Sequence, residues 1–237
     1  MVVACMFLGA IAFFVCIMLI NNRQTRIITS TIFGIIFVVA TLLMTLNYSH
    51  HFGMKQVTTT HSQRVYSASN SSMPLALYKK IGTNGRDNVL IYNTKPRQKT
   101  PHHTQANEFT TSKMKFTKRS TPRLTTTEMR WEFKNDFYKF LFLGSGMGGT
   151  LIKRTNVIEY PQTYVKLTVE QAAQLKQQSK NTGSQAVMES QAKAYVTSKV
   201  QAAMAKDPTM TIQEVQTVTT QATEEFQGQL VRKMLKQ

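Results

Sequence analysis

The sequence predicts an α+β membrane protein with an N-terminal two-helix transmembrane hairpin, a β-rich soluble domain of sandwich or barrel type, and a C-terminal helical hairpin. Three observations carry this. Residues 1–20 and 27–46 are two runs of twenty residues without a charge, joined by six polar ones. Residues 47–166 hold alternating and β-branched stretches, and from Thr168 onward the apolar spacing changes to three and four. The expected organisation is therefore a hairpin over 1–46, a basic β-rich extracytoplasmic domain over 47–166, and a helical region over 167–237.

Each apolar run is long enough to cross a hydrocarbon core of roughly 30 Å as a helix. A cleaved signal peptide is the competing explanation of the first run. It needs a basic leading region, yet no Lys or Arg precedes Arg23, and the second run follows at once. Arg23 and Arg26 stand in the link without an acid, so the link is expected in the cytoplasm and both termini outside, although Lys55 and Arg64 follow the second run. Cys5 and Cys16 both lie in the first run, and the 191 residues after Leu46 have no cysteine. A domain without thiols suits a Gram-positive cell surface. Small or hydroxyl residues recur on one face of each run: Cys5, Gly9, Ala12 and Cys16, then Ser30, Gly34, Thr41 and Thr45. Such faces let helices approach closely in lipid and hydroxyls bond across the contact, so the two runs are expected to pack on each other, with any face left over open to a partner. Neither run has an ionisable group suited to a channel or proton relay.

The formal charge of +17 is uneven. Residues 47–166 have 19 basic and 6 acidic side chains, whereas 167–237 have 8 and 6. A basic surface outside a membrane attracts anionic lipid headgroups or wall polymers. Nucleic acid is the usual partner of such charge, but the expected location removes it.

Strands are expected over 55–67, 75–81 and 88–93, with Thr83, Asn84, Gly85 and Arg86 as the turn between the last two. A hairpin is expected over 125–143, in which Met129, Trp131 and Phe133 alternate with charged residues, Asn135 and Asp136 turn the chain, and 137–143 returns. Residues 151–160 and 164–167 add two more strands. Between them, 95–123 has eight basic residues, one acid and three prolines, the composition of a mobile loop, with a short strand at 113–116. Lys113, Lys115, Lys118, Arg119 and Arg123 are its candidate polyanion-binding residues. Further on, Thr168 with Gln171 and Thr211 with Glu214 form capping boxes. The first opens a helix to about residue 180; a helix over 184–206 carries the stripe Met188, Ala192, Val196, Val200 and Ala203, and the helix after the second box carries Val215, Val218, Ala222, Phe226, Leu230 and Met234. Thr182 with Gly183, and Asp207 with Pro208, are the breaks.

Chemical motifs fail when examined. Gly144, Gly146 and Gly149 fit G-x-G-x-x-G, but a β-branched stretch follows where a nucleotide site needs a helix, and no Lys follows Gly149. Ser145 is not in a G-x-S-x-G elbow. His50, His51 and His61, or His102 and His103, lack the cysteine or neighbouring carboxylate that would complete a zinc site, and the two first are read with Tyr48 as interfacial. No cofactor, metal ligand or catalytic residue is assigned.

Beyond the two runs come His51, Phe52, Gly53, Met54 and Lys55, then Trp131 with Lys134 and Asn135, then Lys153, Arg154, Thr155 and Asn156, and last a Gln- and Ala-rich helical tail. On these features the whole chain resembles an uncharacterised family, a domain of unknown function, of two-span membrane proteins from lactobacilli and related Gram-positive bacteria. The resemblance implies no catalytic or binding residue. It implies a partner, because the family is often encoded beside multidrug efflux transporters of the major facilitator type. The expected function is that of a non-enzymatic accessory protein held in the bilayer next to such a transporter. The alternative is a surface module that binds anionic wall polymer or lipid headgroups through its basic domain, and a wall-active enzyme is the third class.

Overall fold

The computed structural model describes residues 1–69, 74–81, 87–96, 98–178 and 185–234. The turn expected at 83–86 and the break at Thr182 and Gly183 lie outside them. The described elements run α1 (Val2–Leu19), α2 (Arg23–His50), β1 (Met54–Arg64), β2 (Leu75–Ile81), β3 (Asp87–Tyr92), β4 (His102–His103), β5 (Thr110–Thr117), β6 (Arg123–Phe133), α3 (Asp136–Leu141), β7 (Thr150–Pro161), β8 (Val165–Thr168), α4 (Val169–Gln178), α5 (Gln185–Lys206) and α6 (Ile212–Met234). The strands form two four-stranded sheets, ordered β1-β6-β7-β5 and β4-β3-β2-β8. The architecture is the α+β one expected, with two helices long and apolar enough to cross a membrane.

Two compact units divide the chain, Met1–Thr59 with Glu128–Arg154 and Thr60–Thr127 with Thr155–Gln237. The first unit is built on α1 and α2. Asn22 caps α2 by accepting from Gln24 and Thr25 at 3.0 and 3.5 Å, which ends the link and starts the second helix. Val2, Ala40 and Phe142 are the buried centre of this unit, surrounded by Met6, Leu43, Met44, Phe133, Tyr138 and Leu141.

Here the structure corrects one expectation. The return strand of the 125–143 hairpin does not form. Asn135 accepts from the Tyr138 amide at 3.1 Å and opens helix α3, with Asp136 in its first turn. Residues 137–143 have no polar alternation to hold a strand, whereas Tyr138, Leu141 and Phe142 share one helical face. The neighbours of β6 in its sheet are β1 and β7.

In the second unit period-two alternation sorts side chains to the two faces of β2. Ala76 joins Val65, Leu90, Leu124, Ile158 and Tyr160, residues drawn from both sheets and buried between them. Leu75 and Leu77 point the other way and meet Val165 and Leu167 of β8, Leu175 of α4 and Val231 of α6. Strands β2 and β8 are parallel, with Leu75 opposite Val165 and Leu77 opposite Leu167. The run Leu75-Ala76-Leu77 is continuously apolar because both faces of its sheet are covered.

Both capping boxes form: Thr168 N donates to Gln171 Oε1 at 2.9 Å and Gln171 N to Thr168 Oγ1 at 3.2 Å, and Thr211 and Glu214 repeat the exchange at 2.8 and 3.3 Å. Helices α5 and α6 form the expected hairpin, with the Tyr195 hydroxyl donating to Glu225 at 3.1 Å and its ring against Phe226. From Met188 to Ala203 and from Val215 to Leu230 the stripe residues are half-buried or buried, and Val231, outside the stripe, is buried as well. The short strand expected at 113–116 is present as the longer β5, and β4 at His102–His103 is an addition.

Candidate functional site

Two regions contain the residues that the sequence singles out. The first is the hairpin. Gly9 faces the backbone of α2 so closely that a Cβ there would meet Phe37 N at 3.3 Å, and a Cβ on Gly34 would meet the Phe13 ring at 3.3 Å. Gly9 and Cys16 are buried, Ala12, Ser30, Gly34 and Thr41 are half-buried, and Cys5 is exposed. The small face is thus largely occupied by packing of α1 on α2. The hydroxyls do not bond across it. Ser30 donates to Ile27 O at 3.2 Å, Thr41 to Phe37 O at 2.9 Å and Thr45 to Thr41 O at 2.9 Å, each within α2. Cys5 instead opens onto an apolar groove on the outside of the hairpin, shared with Leu8, Gly9, Ala12, Val15, Phe33 and Ile36. Elsewhere the outer surface is large and apolar, from Phe7 and Phe14 to Leu19, Ile28 and Leu42.

Where α2 ends, the chain turns within three residues. His51 takes a left-handed conformation with φ 52°, Phe52 N donates to Leu46 O at 3.2 Å, and Gly53 sits at φ 79°. Asn47, fully buried, donates its amide to Phe52 O at 2.8 Å and holds this turn. The His51 ring stacks on Trp131 with centroids 4.0 Å apart. A Cβ on Gly53 would collide with the Tyr138 ring, so only glycine fits. Near the turn's sheet, Glu128 accepts from Arg130 Nε at 2.8 Å and Arg154 Nε at 2.6 Å, while Arg130 also donates to Gly149 O at 2.7 Å. The Arg130 hydrogen bond, joined by Arg154, holds the Glu128 carboxyl below the usual carboxylate range against the opposing effect of burial. The trio ties β6 to β7 and leaves one positive charge in excess of its single carboxylate.

The second region is the basic face of the second unit. Lys113 and Lys115 are exposed two residues apart on β5 and line an open cleft with Tyr78, Asn88, Ser112 and Lys166. Lys166 lies 4.8 Å over the Tyr78 ring. Lys118 and Arg123 are exposed, and Arg119 pairs with Glu159 at 3.2 Å. Of the five basic residues proposed from the sequence, two therefore share a cleft and one is already matched by an acid. Lys166 is the member that sequence reading missed. It arrives through the parallel pairing of Ala76 with Lys166, a long-range register that no local pattern reveals.

The remaining candidates resolve structurally. Gly144, Gly146 and Gly149 all have positive φ in the turn from α3 to β7, and a strand follows them. His102 stacks near Tyr92 with centroids 6.1 Å apart, and among the described residues no three His, Cys, Asp or Glu side chains come together as a metal would need. On α6, Glu224 accepts from the Thr163 hydroxyl at 3.2 Å, and burial pushes its carboxyl up.

No curated protein and no solved structure matches the chain. A family model does match, over residues 22–175, from the cap of α2 through both sheets and α3 into α4. This is narrower than the whole-chain resemblance, for α1, α5 and α6 lie outside it. What it takes in includes α2, the His51–Gly53 turn with the strands and rings that surround it, and the cleft of Lys113, Lys115 and Lys166, and on that extent the chain belongs to the family defined by the domain of unknown function DUF4811.

Proposed function

We propose that the chain is a non-enzymatic, membrane-anchored accessory protein whose partner is an integral membrane transporter, of the multidrug efflux type. In this reading α1 and α2 cross the cell membrane as a hairpin, with Arg23 and Arg26 in the cytoplasm and both termini outside. The observation that supports it is the outer surface of the hairpin: almost wholly apolar, with a groove in which Cys5, Gly9 and Ala12 are small enough to admit another helix. Lipid chains give helices no hydrophobic reason to associate, so close packing at small residues is what selects a partner span.

Affinity purification of the full-length chain from its native membrane in mild detergent tests this. A stoichiometric transporter is expected with the native chain and is expected to be lost on Cys5→Phe, which fills the groove. Recovery without any membrane protein rejects the reading. A point substitution is the sharper probe than removal of residues 1–46, because Val2 and Ala40 are part of the core around Phe142.

A second reading is supported by the cleft of Lys113, Lys115 and Lys166. Here the second unit binds anionic wall polymer or lipid headgroups. Retention on polyglycerol phosphate should fall steeply with salt and weaken in Lys113→Gln with Lys115→Gln. Salt-independent retention, or none, removes this reading.

A further inference from the structure

Helix α3 has two apolar faces, and the first unit uses one. Tyr138, Leu141 and Phe142 turn into its core, while Phe137, Phe140 and Leu143 stand outside at 64, 59 and 61% exposure. Phe137 and Phe140 lie about one turn apart on the helix, and Leu143 follows in the turn just beyond its end, where its N–H donates to Phe140 O at 3.2 Å. Large apolar side chains gathered in this way mark a surface that something covers. The place of α3 identifies what. Leu141 and Phe142 pack in one cluster with Val2, Ala40 and Leu43, and Met1 N donates to Phe140 O at 3.2 Å. The apolar run of α2 continues to Leu46, so Ala40 lies six residues, or about 9 Å, inside its end. The helix is therefore fixed beside the apolar stretch of the hairpin, whose own outer residues are large, apolar and exposed. Lys134 and Lys139 are exposed next to the outer residues of α3, within reach of headgroup phosphates.

We propose that α3 is a membrane foot: Phe137, Phe140 and Leu143 lie in the boundary between headgroups and acyl chains of the bilayer that the hairpin crosses. The proposal rests on the reading of α1 and α2 as spans. Its occupant is lipid, because the cluster that holds α3 includes Val2, Ala40 and Leu43 of the two spans, and Phe and Leu side chains favour this depth. The foot gives the first unit a third membrane contact beside the two helices.

Fluorescence of the full-length chain in phosphatidylcholine and phosphatidylglycerol vesicles tests it. With Trp131 kept and its signal, measured on the native chain, subtracted, tryptophan is placed in turn by Phe140→Trp, Phe137→Trp and, as a control in the middle of α1, Ile11→Trp. Lipids brominated near the headgroup end or the methyl end of the acyl chain quench from within the bilayer, and iodide quenches from water. Tryptophan at 140 and at 137 should emit further to the blue and lose about half its intensity to the shallow bromolipid, less to the deep one and little to iodide, the behaviour of an interfacial side chain. Ile11→Trp should respond most to the deep bromolipid. If Ile11→Trp is quenched by bromolipid while both foot positions answer only to iodide, the foot is overturned and the spans stand. Foot positions shielded from bromolipid and iodide alike overturn it in favour of a protein cover. An Ile11→Trp variant indifferent to both bromolipids overturns the spans, and the foot with them. Using two foot positions keeps the result readable if one variant does not fold.

Discussion

The two units of this chain are specified in different ways. Every described residue with positive φ, His51, Gly53, Gly144, Gly146 and Gly149, belongs to the first unit. That unit is held by singular contacts: a histidine stacked on the only tryptophan, a glycine against a tyrosine ring, one carboxylate between two arginines. Regular strands and helices make up the second unit, where Leu75, Leu77, Val165 and Leu167 recur at period two and the α5 and α6 stripes at period three to four. A pattern repeated many times tolerates the loss of one member. A singular contact does not, so substitutions should cost more in the first unit than in the second.

The hardest test of that contrast is Gly53→Ala. Its positive φ and the collision of an added Cβ with the Tyr138 ring together should cost roughly 3 kcal/mol or more. Trp131 lies in the same unit and reports the loss as a lower denaturation midpoint by fluorescence. Next comes Arg154→Met, which removes one of the two arginines from Glu128. It should cost about 2 kcal/mol by leaving a half-paired, partly buried carboxylate, and Glu128→Gln in the same background should recover part of it. In the second unit Gly228→Ala should cost about 1–2 kcal/mol, because a Cβ there would meet Thr163 O at 2.6 Å, although alanine in an unencumbered helix would instead gain. Stabilisation by Gly228→Ala would show that α6 is not held so tightly on the turn before β8. The smallest effect has the opposite sign. Tyr160 is fully buried, and among the described residues its hydroxyl finds no partner, so Tyr160→Phe should raise stability by up to about 1 kcal/mol. Calorimetry would detect it as a higher Tm.

Acid separates the units again. Glu128 has a lowered pKa in the folded state, so its contribution is complete above the ordinary carboxylate value and disappears as pH falls through the lower folded value. Glu224 has a raised pKa. The folded chain takes up its proton first, and stability rises as pH falls from the raised value to the ordinary one. Amide exchange followed across a pH series should therefore show peptides around 128–154 loosening at low pH while those around 160–168 and 222–231 first tighten. Parallel behaviour of the two sets would break the comparison.

The same contrast decides what could be seen in the sequence. Strands β2, β3 and β7, both capping boxes and the two helical stripes were legible because each is a local repeat or a local exchange of hydrogen bonds. Helix α3 was not. Asn135-Asp136 is an equally good turn and N-cap, and 137–143 is apolar at nearly every position, so neither period stands out; what decides is the core that Tyr138 and Phe142 enter. The spacing of Gly9 and Gly34 already points to packing of the two runs on each other, and a Cβ on either would come within 3.3 Å of the sister helix. Residues 128–154 give no hint in linear order that they fold with the hairpin. Lys166 joins Lys113 and Lys115 only through sheet register.

The tight turn after α2 has a mechanical consequence. At 28 residues the helix is about 42 Å long, of which the apolar run 27–46 makes up about 30 Å. Only His51, Phe52 and Gly53 separate it from β1, and a buried asparagine, a left-handed cap and the Tyr138 ring fix all three. A rod joined this stiffly acts as a lever. Any change in the direction of α2 turns the start of β1 by the same angle, with no hinge to absorb it.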